Sequence, residues 1–354
     1  MRPEVARYGA RATLTAAVSP PAQGVRVKLF TVTGTSGQQV AEGTTNSVGK
    51  VAFVTTARAT AVFVATAAPQ GNALQSPPVR VRVRPALRAR IFGPRVVGSS
   101  LLLRGRLLPA RSGRLSLAFH GRVRGVRVRS TGAFRVRLRA GTEARARVAV
   151  RLAPARGYAR VSRRFAVRLR RPALSLGATG TAVRALERRL RQLRYALRRV
   201  DRRYRSDTYD AVLAFQKVHG LARTGRVGST LWRALTRSGV PRPLFPRGNH
   251  VEVDKGRQVL FEVVRGRVAR VVHVSTGATG NTPVGRFRVY RLAPGYNALH
   301  MYYTLYFLRG FGIHGYPSVP PYPASHGCVR TPIWFARGFY GRWGRIGTVI
   351  RIFA

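Results

Sequence analysis

Apolar and polar residues alternate with a period of two through much of the first half of the chain. The runs are Ala12-Thr13-Leu14-Thr15-Ala16, Val25-Arg26-Val27-Lys28-Leu29-Phe30, Val51-Ala52-Phe53-Val54, Ala61-Val62-Phe63-Val64 and Val79-Arg80-Val81-Arg82-Val83. Breaks at Pro20-Pro21, Ser36-Gly37 and Gly71-Asn72 read as turns, so the pattern predicts short antiparallel strands over residues 10–85. A second set follows over 86–171: Leu101 to Gly105, Leu115 to Leu117, Val126 to Arg129, Phe134 to Leu138, Val148 to Val150 and Phe165 to Leu169. The spacing of turn signals predicts two β-sandwiches, with the interleaved arginines on the solvent face and their stems lying over neighbouring strands. Neither block contains a catalytic constellation, and both read as spacers or weak polyanion binders.

Near residue 180 the period changes to about 3.6. Val183, Leu186, Leu190 and Leu193 share one helix face. A second helix carries Ala211, Val212, Phe215 and Val218, with Ser206 or Asp207 as its cap and Gly220 past its end. A third, shorter helix carries Leu231, Trp232 and Leu235. Together they predict a compact three-helix domain over 173–238. The proline-rich Pro241-Arg242-Pro243-Leu244-Phe245-Pro246 reads as a linker over 239–249. Alternation then returns in Val251 to Asp254, Gln258 to Val263 and Val268 to Val274, which predicts a mainly β domain over 250–354. The expected fold class is therefore multidomain and mainly β, with one small helical bundle.

Charge narrows the partners less than its size suggests. The 354 residues include 65 basic and 10 acidic side chains, a formal net charge of +55. Only Lys28, Lys50, Lys217 and Lys255 are lysines, a bias toward arginine that a GC-rich coding sequence tends to produce. A field this positive attracts polyanions whatever its origin. Nucleic acid, an anionic wall and a membrane surface all qualify, but the arginines are spread over every domain, whereas a specific nucleic-acid footprint is concentrated. No apolar stretch reaches the roughly 18 residues of a membrane span, so no transmembrane segment is expected.

The remaining inventory excludes several chemistries. Cys328 is the single cysteine, which rules out an intrachain disulfide and a cysteine-rich zinc site. His219, His250, His273 and His300 lack metal-ligand spacing, so neither a metal nor a cofactor is expected. The last acidic side chain is Glu262. Residues 263–354 alone therefore cannot supply a two-carboxylate glycosidase pair or a carboxylate-bridged metal centre.

The thiol lies in Ser325-His326-Gly327-Cys328-Val329-Arg330, fourteen residues after His314 in Gly312-Ile313-His314-Gly315. A nucleophilic cysteine reacts as the thiolate, and an imidazole is the commonest group to collect its proton. Gly327 lets main-chain N–H groups approach a developing oxyanion closely. With no local carboxylate, a backbone carbonyl is the economical group to orient the imidazole. Arg330 could meet a substrate carboxylate through its bidentate fork, against which stands coincidence in an arginine-rich chain. Tyr296, Tyr302, Tyr303, Tyr306 and Phe307 read either as a wall over a substrate or as core.

Two resemblances give these residues a context. Leu176-Gly177, Gly180, Val183, Asp207-Thr208, Ala211-Val212, Phe215-Gln216, Gly220-Leu221 and Gly225 to Gly228 resemble the three-helix peptidoglycan-binding domain. The chain departs from that pattern at Asp201-Arg202-Arg203-Tyr204-Arg205-Ser206, where the family has a glycine-containing loop. The span His314-Gly315 to Ser325-His326-Gly327-Cys328-Val329-Arg330 looks like the L,D-transpeptidase (YkuD) catalytic motif. Asp254 with Gln258-Val259-Leu260, Val274-Ser275-Thr276-Gly277 and Thr282-Pro283-Val284-Gly285 extend it over about 250–353. The two sandwiches then read as Ig-like spacers.

The resemblance implies Cys328 as nucleophile, His314 as general base and acid, and the Gly315 carbonyl as the group that orients the ring. His326 and Gly327 are expected to shape the oxyanion hole, or in the case of His326 only to buttress the loop. Ser325, Arg330 and Tyr302 are expected on the substrate side. The implied activity is thioester exchange on peptidoglycan tetrapeptide stems, with release of D-alanine and formation of 3→3 cross-links. Alternatives are an L,D-carboxypeptidase using the same pair and a non-catalytic basic wall-binding protein. The expected partners are stem peptides, glycan and anionic wall polymers, so the expected location is extracytoplasmic. Residues 1–9 do not read as a signal peptide, and the export signal is expected upstream.

Overall fold

The computed structural model describes residues 5–354. The chain forms two compact units, the first made of residues up to Pro94 with Ser100–Leu138 and Arg145–Val167, the second of Arg95–Ser99, Arg139–Ala144 and Arg168–Ala354.

The first unit contains two β-sandwiches. β1 (Val5–Arg7), β2 (Arg11–Ala17), β3 (Arg26–Thr33), β4 (Ser36–Thr44), β5 (Lys50–Thr56), β6 (Ala61–Ala67), β7 (Leu74–Gln75) and β8 (Val79–Arg84) build one of them. Its larger sheet runs β1-β8-β6-β3-β4 with β7 on β6, and its smaller sheet is the β2-β5 pair. Leu14 and Phe53 from the pair meet Val27, Leu29, Phe63, Ala65 and Val81 from the larger sheet in one core. The expected alternation holds on β8, where exposed Arg80 and Arg82 flank buried Val81. Ser36-Gly37, read above as a turn, instead opens β4, and the chain reverses two residues earlier at Gly34-Thr35, where Gly34 has φ +61°.

The second sandwich comprises β9 (Ala86–Phe92), β10 (Ser100–Leu108), β11 (Gly113–Phe119), β12 (Arg122–Val126), β13 (Ala133–Arg139), β14 (Arg145–Pro154) and β15 (Val161–Arg168). The sheets are β13-β10-β9 and β12-β11-β14-β15. Leu101, Leu103 and Leu107 from one sheet and Leu115, Leu117 and Val150 from the other are buried. The strand expected at Val126 to Arg129 lies earlier, because β12 pairs with β11 as a hairpin that closes at Phe119 opposite Arg122.

The second unit opens with α1 (Thr181–Gln192), α2 (Ser206–Val218) and α3 (Ser229–Arg237). Val183, Leu186, Leu190, Val212, Phe215, Trp232 and Leu235 are completely buried. Gly220 sits past the end of α2 with φ +61°, as expected. The cap of α2 is different: Arg205 holds that position without capping the helix through its side chain, and Asp207 instead accepts the Arg198 N–H at 2.9 Å. Residues 239–249 form no helix or strand, but Leu244 N and Phe245 N donate to Glu252, which is itself completely buried.

The rest is β16 (His250–Asp254), β17 (Val259–Val264), β18 (Arg267–His273), β19 (Gly285–Arg288), β20 (Arg291–Tyr296), β21 (Tyr302–Leu308), β22 (Phe311–Tyr316), β23 (Val329–Pro332), α4 (Ile333–Trp343) and β24 (Val349–Phe353). One sheet runs β18-β17-β16-β24-β19 and the other β20-β21-β22-β23. Val251, Leu260, Leu305, Ile313, Val329, Phe335, Phe339 and Ile350 share the core, which includes Ala196 from the connection between α1 and α2. Carboxylates are used internally. Buried Glu262 takes Arg342 at 2.6 and 3.1 Å and Arg270 at 3.0 Å, and buried Glu187 accepts the Asp201 and Arg202 N–H groups. The charges of Glu262 are thus paired rather than left alone in the interior.

Candidate active site

Two adjoining strands carry the motif. β22 and β23 run parallel, with Ile313 opposite Val329, His314 opposite Arg330 and Gly315 opposite Thr331. Ile313 and Val329 are fully buried in the core beside α4, so strand alternation turns His314 and Arg330 to the other face. Cys328 lies in the bend just before β23, two residues ahead of Arg330. The Arg330 guanidinium stacks on the Tyr316 ring at 4.1 Å, and Tyr316 meets the His314 ring edge-on with centroids 5.8 Å apart. The Arg330 charge lowers the pKa of both His314 and Cys328, which places one cation within electrostatic reach of both groups.

His314 is buried, and its surroundings decide its protonation. Burial draws its pKa down to about 4, the hydrogen bond to Gly315 opposes that, and Arg330 adds to it. The ring is therefore neutral at pH 7. Its Nδ1 lies 2.9 Å from the Gly315 carbonyl oxygen. A carbonyl only accepts, so Nδ1 carries the hydrogen and Nε2 keeps a free lone pair. A side chain at Gly315 would place its Cβ 2.5 Å from Cβ of Ala336 on α4. Glycine here is what lets α4 seat against the strand.

The Cys328 thiol is half-buried, with Sγ 3.7 Å from the Gly310 carbonyl oxygen. Burial raises its pKa, while the Gly312 main chain and Arg330 act in the opposite direction. The resting pair is thus a neutral thiol and a neutral imidazole.

The turn before the thiol is held by hydroxyls. Ser325 Oγ accepts the Gly327 N–H at 3.0 Å and donates to the Cys328 carbonyl at 2.6 Å. Buried Thr282 accepts the Gly277 N–H at 2.8 Å and donates to the Gly327 carbonyl at 2.7 Å. In a trans peptide the Cys328 N–H points opposite to that carbonyl, away from Thr282. Gly327 has φ +124°, and a Cβ there would lie 2.3 Å from the Phe311 ring, so only glycine fits. Asn281 Nδ2 holds the His326 carbonyl at 3.0 Å, and the His326 residue is exposed.

Other candidate residues separate from this face. Tyr302 packs between Tyr296 and Tyr303, each at 4.6 Å between centroids. Its ring lies 3.3 Å from the Cβ position of Gly315, on the side of Ala336. That is the α4 face of the sheet, opposite His314. Tyr306 and Phe307 are buried. Among the described residues no group of three or more His, Cys, Asp or Glu side chains could hold a metal ion, and no helix is long and apolar enough to cross a membrane. Sequence reasoning gave no role to Thr282 or Asn281, although Thr282 stood inside a quoted motif; only the fold shows which carbonyls they hold.

Comparison with known proteins agrees with this architecture. The L,D-transpeptidase catalytic domain model matches residues 248–352, and a putative peptidoglycan-binding domain model matches residues 179–235. A solved L,D-transpeptidase from Xylanimonas cellulosilytica is 36% identical, covering 51% of this chain and 97% of that one with a TM-score of 0.49. The catalytic domain of the E. faecium L,D-transpeptidase is 24% identical, covering 30% of this chain and 98% of that one with a TM-score of 0.27. No curated protein matches the sequence. The second unit thus carries, in order along the chain, a peptidoglycan-binding domain and an L,D-transpeptidase (YkuD) catalytic domain.

Proposed function

We propose that this protein forms 3→3 peptidoglycan cross-links by acyl transfer through Cys328. The observation that carries the reading is the buried, neutral His314, whose Nδ1–H is tied to the Gly315 carbonyl so that Nε2 is left as the base, with Arg330 lowering the pKa of both His314 and Cys328. As the Cys328 sulfur attacks the carbonyl of the third residue of a tetrapeptide stem, its proton passes to His314 Nε2. Negative charge develops on the carbonyl oxygen, and the Cys328 N–H is the donor that the turn directs outward. The C–N bond to the terminal D-alanine breaks, His314 returns the proton to the leaving amine, and a thioester remains. A side-chain amine of a second stem then attacks the thioester, giving its proton to His314. The C–S bond breaks, and the thiolate recovers that proton.

Water in place of the amine makes the same site an L,D-carboxypeptidase. The Gly327 N–H is committed to Ser325 in this conformation, so in this scheme Gly327 serves by shape and Ser325 by bracing the turn. Arg330 is the cation that a stem carboxylate would meet. On this reading the protein works outside the cytoplasmic membrane, where its net charge of +55 favours anionic wall polymers.

The test is mass spectrometry of the full chain with a defined tetrapeptide, with and without an acceptor amine. The expected result is a thioester adduct on Cys328, D-alanine release and, with the amine, a cross-linked product. Cross-linking or D-alanine release by Cys328→Ala would refute the assignment. Release that never yields a cross-link would establish the carboxypeptidase instead.

A further inference from the structure

The segment between the His314 strand and the nucleophile turn is Pro317-Ser318-Val319-Pro320-Pro321-Tyr322-Pro323-Ala324. Its four prolines have no N–H to donate, and the segment belongs to no strand. Apart from the Ala324 N–H, which donates to the Thr276 carbonyl at 2.8 Å, donors from elsewhere hold it by its carbonyl oxygens. His273 Nε2 lies 2.7 Å from the Val319 oxygen, Arg223 Nη1 donates to Pro321 at 3.0 Å, and Ser275 Oγ donates to Tyr322 at 2.7 Å.

Two of these three donors lead back to the helical module. Arg223 lies in the connection between α2 and α3, five residues past the end of α2. The other ring nitrogen of His273 is 2.6 Å from Nζ of Lys217, a buried residue of α2 that also donates to the Gln258 carbonyl at 3.0 Å and the Val274 carbonyl at 2.9 Å. The module is fastened elsewhere as well: Ala196 N donates to Val271 O and Val271 N to Arg194 O, each at 2.9 Å, and Trp334 Nε1 donates to Asp210 at 2.7 Å.

Counting hydrogens shows what complete pairing of the bridge requires. The Val319 oxygen only accepts, so Nε2 of His273 carries a hydrogen. Two carbonyls and Nδ1 then converge on Lys217, and an ammonium supplies the three hydrogens they need. A neutral amine could serve both carbonyls only if Nδ1 carried a hydrogen too, which makes the ring the cation. Full pairing thus needs one proton beyond the neutral pair, against which burial draws Lys217 down to about 6 and His273 to about 3. Arg223 adds to the opposition, and Asp210 offsets it.

We propose that Lys217 and Arg223 are positioning residues for acyl transfer: Lys217 through His273, and Arg223 directly, they hold the proline-rich segment so that the Ser325–Cys328 turn stands in register with His314. The helical module is then a built-in brace of the transfer site. This rests on the reading of Cys328 as the nucleophile.

The test compares the full chain with its Lys217→Met and Arg223→Ala variants by hydrogen exchange and by single-turnover acylation with a tetrapeptide. Exchange at Ser318, Val319, Tyr322, Gly327 and Cys328 is expected to rise in both variants, with α1, α3 and β16 unchanged. The acylation rate constant should fall by about tenfold to a hundredfold, with KM within about threefold of the parent, since no substrate contact is removed. Unchanged exchange in the segment of a folded variant, or parental acylation rates, would overturn the proposal. Should Lys217→Met fail to fold, Arg223→Ala at the surface decides alone. Should the parent chain not acylate at all, the reading of Cys328 fails, and the exchange comparison still decides whether the brace exists.

Discussion

Thr282 Oγ1 lies 2.7 Å from the Gly327 carbonyl oxygen and so sets the plane of the peptide that carries the Cys328 N–H. Thr282→Val keeps the shape of the side chain and removes the hydroxyl. Leaving that carbonyl unpaired costs about 1–3 kcal/mol, and single-turnover acylation should slow about tenfold or more while the fold persists. Thr282→Ser should restore most of the rate. Parental acylation by Thr282→Val would show that the peptide plane is held by other means.

The acid side of the pH profile follows from His314. Its folded pKa is drawn down to about 4, and only the neutral ring can accept the thiol proton. Acylation should therefore stay on a plateau through neutral pH and fall as pH drops through about 4. Arg330 contributes to this lowering, so Arg330→Met should move the midpoint upward. A parent midpoint near 6.5, the ordinary histidine value, would mean that burial does not govern the ring.

Gly327→Ala should abolish acylation. The φ of +124° and the Phe311 ring 2.3 Å from the added Cβ act together, and the backbone strain alone is worth about 1–3 kcal/mol. Adding Phe311→Ala relieves the clash but not the strain, so the double variant should recover stability only in part and stay slow. Thermal melting and adduct mass spectrometry read the two effects separately.

Asp210 makes stability depend on pH. Burial raises its pKa from 3.8 to about 6, against the Trp334 hydrogen bond and the Lys217 charge, with Asp207 adding to the rise. The folded state holds this proton more tightly than the unfolded chain, so its contribution is full below about pH 4 and is lost as pH rises to about 6. The change is up to about 3 kcal/mol. Asp210→Asn should flatten the melting temperature across that window, and an unaltered slope would assign it to other groups.

Much of this was legible from periodicity. Val183, Leu186, Leu190 and Leu193 announced α1 because a buried helix face repeats locally, and Val79 to Val83 announced β8 for the same reason. α4 gave no comparable signal. Its buried residues Phe335, Ala336, Phe339 and Trp343 are interleaved with Arg337, Gly338 and Gly341, which blurs the stripe. Within the site, His314, Cys328 and their spacing were visible, whereas the exclusion of Tyr302 from the His314 face required strand register. Lys217 was invisible as anything but a surface charge, since its three acceptors lie 41 to 57 residues away in sequence.

The inward turn of Glu187, Asp207, Glu252, Asp254 and Glu262 has a consequence for handling the molecule. With half of its ten carboxylates sealed inside, the exterior has almost nothing of its own with which to balance its guanidinium groups. The balancing anions must be borrowed from the medium, so the ionic composition of the buffer becomes part of the specimen being measured.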